Sequence, residues 1–406
     1  MFPILLPLCK IVIGMKILIH TLASPLHDKL STERAAFEFL GSIQNYCDSE
    51  LVNCGSDFST YGDGDLSLVY VMTGGTEGLF LEALSQIQGH VHILTSGKSN
   101  SLAASMEILS YLKQVGRSGE IIHGSAEYVA ARVELLARVE RGRKRLAGGL
   151  RLGVIGEPSD WLIASHPDEQ VLREKLGVEL VRVPMGELIA KLEETPQDPM
   201  EGAVHIYEVL KGIVAEQNLH GLTLRCFDLL DTIRNTGCLA LARLNAEGIP
   251  ASCEGDIPAL VTMAIGHALT GQCGFQANPS RIDPEAGEIL FAHCTIPVNM
   301  ISGYTFNTHF ESGIGIAISG DIPAGDATIF KLSGDLKRSF CCEADLLKCQ
   351  SEANLCRTQA ILKIKGSSDE RTSICKNYFL MSPVGNHHVV FTGAQKEVFD
   401  AFVQQL

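Results

Sequence analysis

The stretch ASCEGDIPALVTMAIGHALTG, residues 251–271, joins a short apolar β-like run directly to an apolar helical pattern. Two carboxylates, Glu254 and Asp256, stand at the junction. Open α/β sheets bind ligands beyond the carboxyl ends of their strands, so a carboxylate at this position is a candidate for function. Asp256 is also explained as the N-cap of the helix that follows. That explanation leaves Glu254 without a role.

The chain before this stretch alternates between short β-like runs and longer helical patterns, which is typical of parallel βαβ units. The first block predicts strands at residues 16–20, 67–72, 90–94 and 120–122, and helices at residues 33–44, 77–87, 99–115 and 126–146. A second alternating block begins near residue 151. After residue 271, short β runs alternate with Gly, Asp and Pro turns.

The predicted fold class is therefore α/β, with two doubly wound parallel-sheet domains followed by a mostly β, barrel-like C-terminal domain. The predicted domains are residues 15–150, residues 151–270 and residues 271–406. A chain of 406 residues agrees with two or three domains.

The composition excludes several classes of protein. A net charge of −14 argues against a nucleic-acid partner, because such proteins present a basic face. The 13 cysteines show no zinc-like spacing, and their odd number in a long chain argues against a disulfide framework. Reduced thiols indicate a cytoplasmic protein.

The first fourteen residues, MFPILLPLCKIVIG, are apolar but lack the basic flank and the cleavage site of a signal peptide. They are too short to span a bilayer, so no membrane partner is expected. The segment MKILIHTLA reads as a natural first strand, and Met15 is therefore predicted to be the true start. A secreted solute-binding protein is the alternative that the apolar segment leaves open.

Polar clusters stand in or beside the predicted strands of the last third. Besides residues 253–256 they are QANPS (276–280), AHCTIP (292–297), THFESG (308–313) and GNHHV (385–389). Histidines and carboxylates from separate segments are what a divalent-metal site requires. Each histidine taken alone is more often a structural hydrogen-bonding group. The presence of several such clusters favours a site.

The segments CEGDIPALVTMAIGHALTG, GFQANPSRID, ILFAHCTIP and GNHHVV, in this order, resemble the L-fucose and L-arabinose isomerase superfamily. The resemblance extends over the whole chain. The chain is similar in particular to a short, fucose-isomerase-like branch of this superfamily. It implies two α/β domains with a β-rich C-terminal domain. It also implies a divalent ion, commonly Mn²⁺, and the interconversion of an aldose and a ketose. Trimers or hexamers are expected by the same analogy.

The resemblance also implies roles for individual residues. Glu254 matches the first acidic metal ligand, which doubles as the catalytic acid/base. His293 matches a histidine ligand and His388 the late histidine ligand. Asn278 stands where the superfamily has a second acidic ligand, and it is carried over as a candidate metal-binding and catalytic residue. The candidate substrate-binding residues are His387, His309, Glu311 and Arg357.

The amide at Asn278 departs from the superfamily pattern, because a neutral carbonyl oxygen holds a divalent cation less well than a carboxylate. Glu311 or Asp256 could supply the missing charge, or the site could bind metal weakly and act on a different sugar. The leading hypothesis is a metal-dependent aldose–ketose isomerase acting on a monosaccharide through an enediolate. The alternative is a non-catalytic or degraded sugar-binding protein on the same scaffold.

Overall fold

A computed structural model describes residues 14–406. Residues 1–13 of the apolar N-terminal segment lie outside the described residues. The start at Met15 therefore stays a prediction. By backbone contacts the chain divides into two compact units, the first ending at Arg141 and the second beginning at Gly142. The division into two units does not test the three predicted domain ranges, which stay a prediction.

The first unit contains a five-stranded parallel sheet in the order β2-β1-β3-β4-β5. Its strands are β1 (Lys16–Leu22), β2 (Glu50–Gly55), β3 (Leu66–Val71), β4 (Val91–Thr95) and β5 (Gly119–Ile122). Its helices are α1 (Lys29–Gln44), α2 (Glu77–Ala83), α3 (Ser101–Gln114) and α4 (Ala126–Ala147), the last of which crosses the boundary between the units. β3 and β4 are buried along their whole length, which is why they read as continuous apolar runs.

The second unit begins with a four-stranded parallel sheet in the order β7-β6-β8-β9. Its strands are β6 (Leu150–Ile155), β7 (Val178–Val183), β8 (Gly221–Leu224) and β9 (Ala251–Cys253). Its helices are α5 (Glu169–Leu176), α6 (Met185–Lys191), α7 (Pro199–Glu216), α8 (Asp228–Thr232), α9 (Cys238–Ala246) and α10 (Ile257–Thr270). Asp168, Asp198 and Asp256 cap α5, α7 and α10, since each carboxylate accepts a backbone N–H of the first turn.

The same unit ends in a closed antiparallel barrel of six strands in the order β10-β11-β16-β15-β14-β17. The barrel strands are β10 (Phe275–Asp283), β11 (Glu288–His293), β14 (Gly325–Leu332), β15 (Ser339–Gln350), β16 (Thr358–Ile364) and β17 (His388–Thr392). A separate hairpin is formed by β12 (Gly303–Asn307) and β13 (Ala317–Asp321). The remaining helices are a 3₁₀ turn (Val298–Met300), α11 (Ser368–Ser373), the π-helix Ile374–Leu380 and α12 (Lys396–Val403).

These elements confirm the predicted fold class, with parallel sheets flanked by helices and a barrel-like β region at the C-terminal end. Helix α10 contacts the barrel closely, because a Cβ added at Gly266 would lie 2.2 Å from the ring of Phe391. The segment that follows Cys253 is therefore held between the central sheet and the barrel. Among residues 14–406, no helix combines the length and apolarity needed to cross a bilayer.

Candidate metal centre

The turn after β9 places Glu254 at the carboxyl end of the central sheet. Glu254 and Gly255 both adopt left-handed backbone conformations, with φ of 64° and 70°. Glycine is required at position 255 because an added Cβ would lie 2.7 Å from both the carbonyl oxygen of Glu157 and the Cα of Pro158. The carbonyl oxygen of Glu254 accepts the N–H of Ser159 at 3.0 Å, which fixes the turn against the same segment.

Three side chains from distant segments converge at this turn. Glu254 Oε1 lies 3.5 Å from Nε2 of His387 and 3.8 Å from Nε2 of His293. All three potential ligand atoms lie within 4.8 Å of one another. An ion about 2.0–2.2 Å from each ligand atom requires separations of roughly 3–4 Å, and the two distances from Glu254 lie in that range. Nε2 of His387 is buried and has no hydrogen-bond partner within the described chain, so this donor set fits a divalent ion.

Each of the three side chains is held by a second group through its other polar atom. Nδ1–H of His387 donates to Oδ2 of Asp256 at 2.8 Å, so Nε2 is the ring atom that would bind an ion after losing its proton. Nδ1 of His293 forms a 2.9 Å hydrogen bond with the hydroxyl of Thr295. The indole N–H of Trp161 donates to Oε2 of Glu254 at 2.7 Å. Carboxylate–histidine pairs of this kind orient imidazole ligands at metal sites.

The charges of the cluster shift the pKa of its members strongly. Burial alone would lower the pKa of His387, but Asp256 and Glu254 outweigh it and raise that pKa to about 9. Burial would raise the pKa of Glu254, yet the imidazoles of His293 and His387 hold it well below its usual range. The pKa of the fully buried Asp256 is also lowered, since the charges of Lys331 and His387 outweigh the cost of burial.

His388 does not join the cluster, which corrects its expected role as the late metal ligand. Its Nδ1–H donates to the carbonyl oxygen of Asn386 at 2.9 Å, and its Nε2 accepts the hydroxyl of Tyr378 at 2.7 Å. Burial, reinforced by the positive charge of Lys331, lowers the pKa of His388 to about 3, so the ring is neutral. Both ring nitrogens are occupied, and the late histidine that faces Glu254 is instead His387.

Asn278 is tied to the segment that carries His387. Its Oδ1 accepts the amide of Asn386, the residue before His387, at 3.2 Å. Two residues earlier on the same strand, the side chain of Gln276 bridges the backbone of Cys253, accepting its N–H at 2.7 Å and donating to its carbonyl oxygen at 3.4 Å. β10 is thereby joined to the strand end that precedes Glu254. A metal-binding or catalytic role for Asn278 stays a prediction.

Two other candidate substrate-binding residues, His309 and Glu311, lie on the loop of residues 308–313, and Arg357 contacts this loop. The ring of Trp161 contacts Phe227 edge-on at 4.9 Å, and Phe227 contacts His309 edge-on at 5.5 Å. Nε–H of Arg357 donates to the carbonyl oxygen of Thr308 at 2.7 Å, on the same loop as His309. Glu311, also on this loop, is exposed. The structure thus places His309 and Glu311 on one loop and joins Arg357 to that loop by a hydrogen bond, and their contact with substrate stays a prediction.

The sequence analysis did not identify Trp161 or Lys331 as part of the site, and it found only one of the two roles of Asp256. Trp161 lies 93 residues before Glu254, and nothing local marks it as a hydrogen-bond donor to that carboxylate. Lys331 is 1% exposed within an apolar strand, with Nζ 3.9 Å from Oδ2 of Asp256, and burial lowers its pKa despite that carboxylate. A lysine in the apolar run Ile329–Leu332 was an available signal. Asp256 caps α10, as expected, and also orients His387.

Sequence comparison finds similarity to sugar isomerases. Two proteins named sulfoquinovose isomerase, from Priestia megaterium and Priestia aryabhattai, are each 24% identical to this chain over 262 residues, covering 58% of this chain and 59% of each relative. A protein of the same name from a Clostridium species is 29% identical over 147 residues, 35% of this chain and 33% of the relative. The chain thus spans about three fifths of the length of the Priestia relatives. No protein-family model matches it.

Proposed function

We propose that this protein is a metal-dependent aldose–ketose isomerase related to the L-fucose and L-arabinose isomerases. The observation that carries the proposal is the convergence of Glu254, His293 and His387, where the buried Nε2 of His387 has no hydrogen-bond partner among residues 14–406. The similarity to proteins named sulfoquinovose isomerase supports the same reaction class. Function is argued from the site, because a scaffold alone is a weak warrant for it.

The proposed ion ligands are Glu254 Oε1 and the Nε2 atoms of His293 and His387, with Asn278 as a further candidate. Two imidazoles and one carboxylate suit a first-row divalent ion. Mn²⁺ is the first ion to test because the resemblance to the superfamily implies it. Such an ion, when bound, would supply Lewis-acid polarisation of the sugar's carbonyl group. The expectation of His388 as a ligand is replaced by His387.

Glu254 is the proposed general base and acid. Its lowered pKa keeps the carboxylate ionised at neutral pH, so it is able to accept a proton from C2 of an open-chain aldose. Return of this proton to C1 of the enediolate, together with transfer of the hydroxyl proton from O2 to O1, completes the isomerisation. The reaction has no net change in oxidation state, so no redox cofactor is required. Trp161 keeps the carboxylate in place through Oε2 and leaves Oε1 toward the imidazoles.

A monosaccharide is the proposed substrate. Trp161 is 51% exposed beside Glu254, so its ring offers an apolar face at the edge of the polar cluster. We propose that His309, Glu311 and Arg357, on and beside the neighbouring loop, contact the hydroxyl groups of the sugar. A cytoplasmic location and a trimeric or hexameric assembly belong to the same proposal.

The test follows conversion of aldose to ketose with Mn²⁺ over pentoses, 6-deoxyhexoses and the sulfonated hexose sulfoquinovose. We expect turnover of at least one sugar by the wild type. Glu254→Gln should lower kcat by roughly 100-fold or more, because it removes the proton-transferring group while keeping its shape. Glu193→Gln, a change of the same kind at an exposed position, is the matched control and should leave kcat unchanged.

Two results would contradict the proposal. Absence of both turnover and bound metal in the wild type would remove the enzyme assignment. A sugar-dependent rise in Tm without turnover of any sugar would instead identify a non-catalytic sugar-binding protein.

A further inference from the structure

A second group of potential metal ligands lies in the first unit, far in sequence from the Glu254 cluster. His90 directly precedes β4 and His92 lies within it, and the centroids of their rings are 4.8 Å apart. Glu120 on the adjacent strand β5 is the register partner of His92. Ser118, two residues before Glu120, is beside His90, with its hydroxyl 3.1 Å from Nδ1 of that ring. The four side chains form an array of two pairs at the start of the neighbouring strands β4 and β5.

Both imidazoles face the same carboxylate oxygen. Oε1 of Glu120 forms a 3.2 Å hydrogen bond with Nδ1 of His92 and lies 3.8 Å from Nε2 of His90, so a bound ion would take the place of the proton of this hydrogen bond. The three ligand atoms lie within 4.8 Å of one another. Tetrahedral bonds of about 2.0–2.1 Å place ligand atoms roughly 3.3 Å apart. The two measured separations therefore lie close to those of a tetrahedral site before any movement of the side chains.

Arg132 prepares the carboxylate for this geometry. Its Nε–H and one of its Nη–H groups donate to Oε2 of Glu120 at 3.0 and 2.8 Å. Both bonds go to the oxygen that faces away from the imidazoles, which leaves Oε1 to His90 and His92. Ser118 acts in the same way on His90, since a hydrogen bond at Nδ1 leaves Nε2 as the ligand atom.

The position of the array indicates what a bound ion would do. β5 is the edge strand of its sheet and is only four residues long, so few backbone hydrogen bonds hold it to β4. An ion shared by His90, His92 and Glu120 would join the two strands through their side chains. Because a preformed site exists only in the folded state, the binding energy would stabilise this edge.

We propose that His90, His92 and Glu120 form a zinc-class metal site that fastens strand β5 to strand β4, separate from the Glu254 cluster. Two imidazoles with one carboxylate select a borderline transition ion such as Zn²⁺ over Mg²⁺ or Ca²⁺, which take oxygen ligands. Water completes the fourth position. Glu120 is 23% exposed at its side chain, which gives the ion a path from solvent.

The test measures zinc bound to the full chain after chelator treatment, reloading with ZnCl₂ and desalting. The wild type should retain two zinc ions per chain, and Glu254→Gln one. Adding His90→Asn to Glu254→Gln should remove the remaining ion. His27→Asn, an exposed histidine of the same unit, is the matched control and should remove none from the Glu254→Gln protein. Millimolar Mg²⁺ should not displace the ion.

A second measurement does not depend on the folding of any His90 variant. Hydrogen exchange of peptides covering β4 and β5 is compared in the Glu254→Gln protein with and without ZnCl₂. We expect exchange at least tenfold slower with zinc, confined to these strands. A folded Glu254→Gln protein that retains no zinc and shows no added protection at β4 and β5 would overturn the proposal. Equal zinc retention with and without His90→Asn would also overturn it. Neither result bears on isomerase activity.

Discussion

His387 and His388 are neighbours along the chain with opposite electrostatic surroundings. His387 lies between the carboxylates of Glu254 and Asp256, which raise its pKa to about 9 against the effect of burial. His388 hydrogen-bonds to Tyr378 and packs against aromatic rings, and burial lowers its pKa to about 3. The pair therefore offers one imidazole that holds a proton and one that stays neutral across the physiological range.

This difference predicts the pH dependence of stability in the metal-free protein. A raised pKa in the folded state means that the stabilisation from His387 is fully present below about pH 6.5 and is lost as pH rises through about 9. The shift corresponds to about 3 kcal/mol of unfolding free energy. Denaturant unfolding in EDTA should show that the free energy of unfolding of the wild type falls as pH rises through this range. His387→Asn should abolish the part of the fall that comes from His387.

His388→Asn is the matched control, because His388 is neutral in both the folded and the unfolded chain above about pH 6.5. The free energy of unfolding of His388→Asn should fall with pH as steeply as that of the wild type. Lys331, which faces Asp256, has a lowered pKa and contributes the opposite slope at higher pH, so the comparison is made between variants. Equal slopes for wild type and His387→Asn would contradict the assignment of charge to His387.

Asn278 predicts a gain in metal affinity. Its Oδ1 accepts a hydrogen bond from Asn386, and an aspartate can accept the same bond, so Asn278→Asp should preserve the local structure. The added charge should tighten Mn²⁺ binding by roughly tenfold or more, because affinity rises with the number of charged ligands. Calorimetric titration measures the change. Ser280→Asp places the same charge on an exposed position two residues further on, and an equal gain there would show that Asn278 does not face the ion.

Among the secondary-structure elements, the sequence predicted best those whose residues share one periodic pattern. Four of the five strands of the first unit lie within two residues of their predicted ends, and α4 was predicted to within one residue. Strand β2 was missed because its sequence, ELVNCG, is short and half-exposed. Strand β15 carries no clear apolar pattern either, because its twelve residues mix cysteines with charged side chains in a half-exposed strand. Periodicity identifies elements with a continuous buried face and fails where burial is partial.

The turn between β9 and α10 predicts a sharp response to Gly255→Ala. A left-handed backbone costs an alanine about 1 kcal/mol, and its Cβ would lie 2.7 Å from the backbone of the Glu157–Pro158 segment. We expect a loss of roughly 2 kcal/mol or more of unfolding free energy and weaker Mn²⁺ binding, since Glu254 must move. Denaturant unfolding and calorimetric titration measure the two effects.

Gly186→Ala is the control for this change. Gly186 lies in helix α6, and an added Cβ there would meet no atom within 4 Å. Alanine should raise stability slightly, by up to about 1 kcal/mol, because it favours helix. A Gly255→Ala protein as stable as the wild type would show that the strained turn is dispensable.

At the scale of the whole molecule, each unit has its own buried core. The first unit packs residues such as Ile17 and Leu68 against its helices, and the second packs Leu222 with Cys253 beneath the Glu254 turn. The barrel adds a further core that includes Phe275 and Phe291. The candidate metal centre at Glu254 is built entirely from residues of the second unit.

This division predicts that damage to the first core leaves the Glu254 centre intact. Leu68→Ala should cost about 2–5 kcal/mol, because Leu68 is fully buried. Its effect on hydrogen-exchange protection should be confined to residues before Gly142, with unchanged Mn²⁺ affinity. Leu222→Ala, equally buried beside β9, should weaken Mn²⁺ binding. A matching loss of affinity in Leu68→Ala would show that the two cores unfold as one.

The order of the elements, the carboxylate after β9 and the histidine-bearing segments of the barrel could all be inferred from the chain itself, because strand patterns, helix caps and motif spacing depend on neighbouring residues. Only the tertiary structure shows which of the two adjacent imidazoles faces Glu254. Only the tertiary structure shows that Trp161 holds Glu254 and that Asp256 holds His387. Those choices follow from strand register and from the packing of segments more than ninety residues apart, which no local pattern encodes.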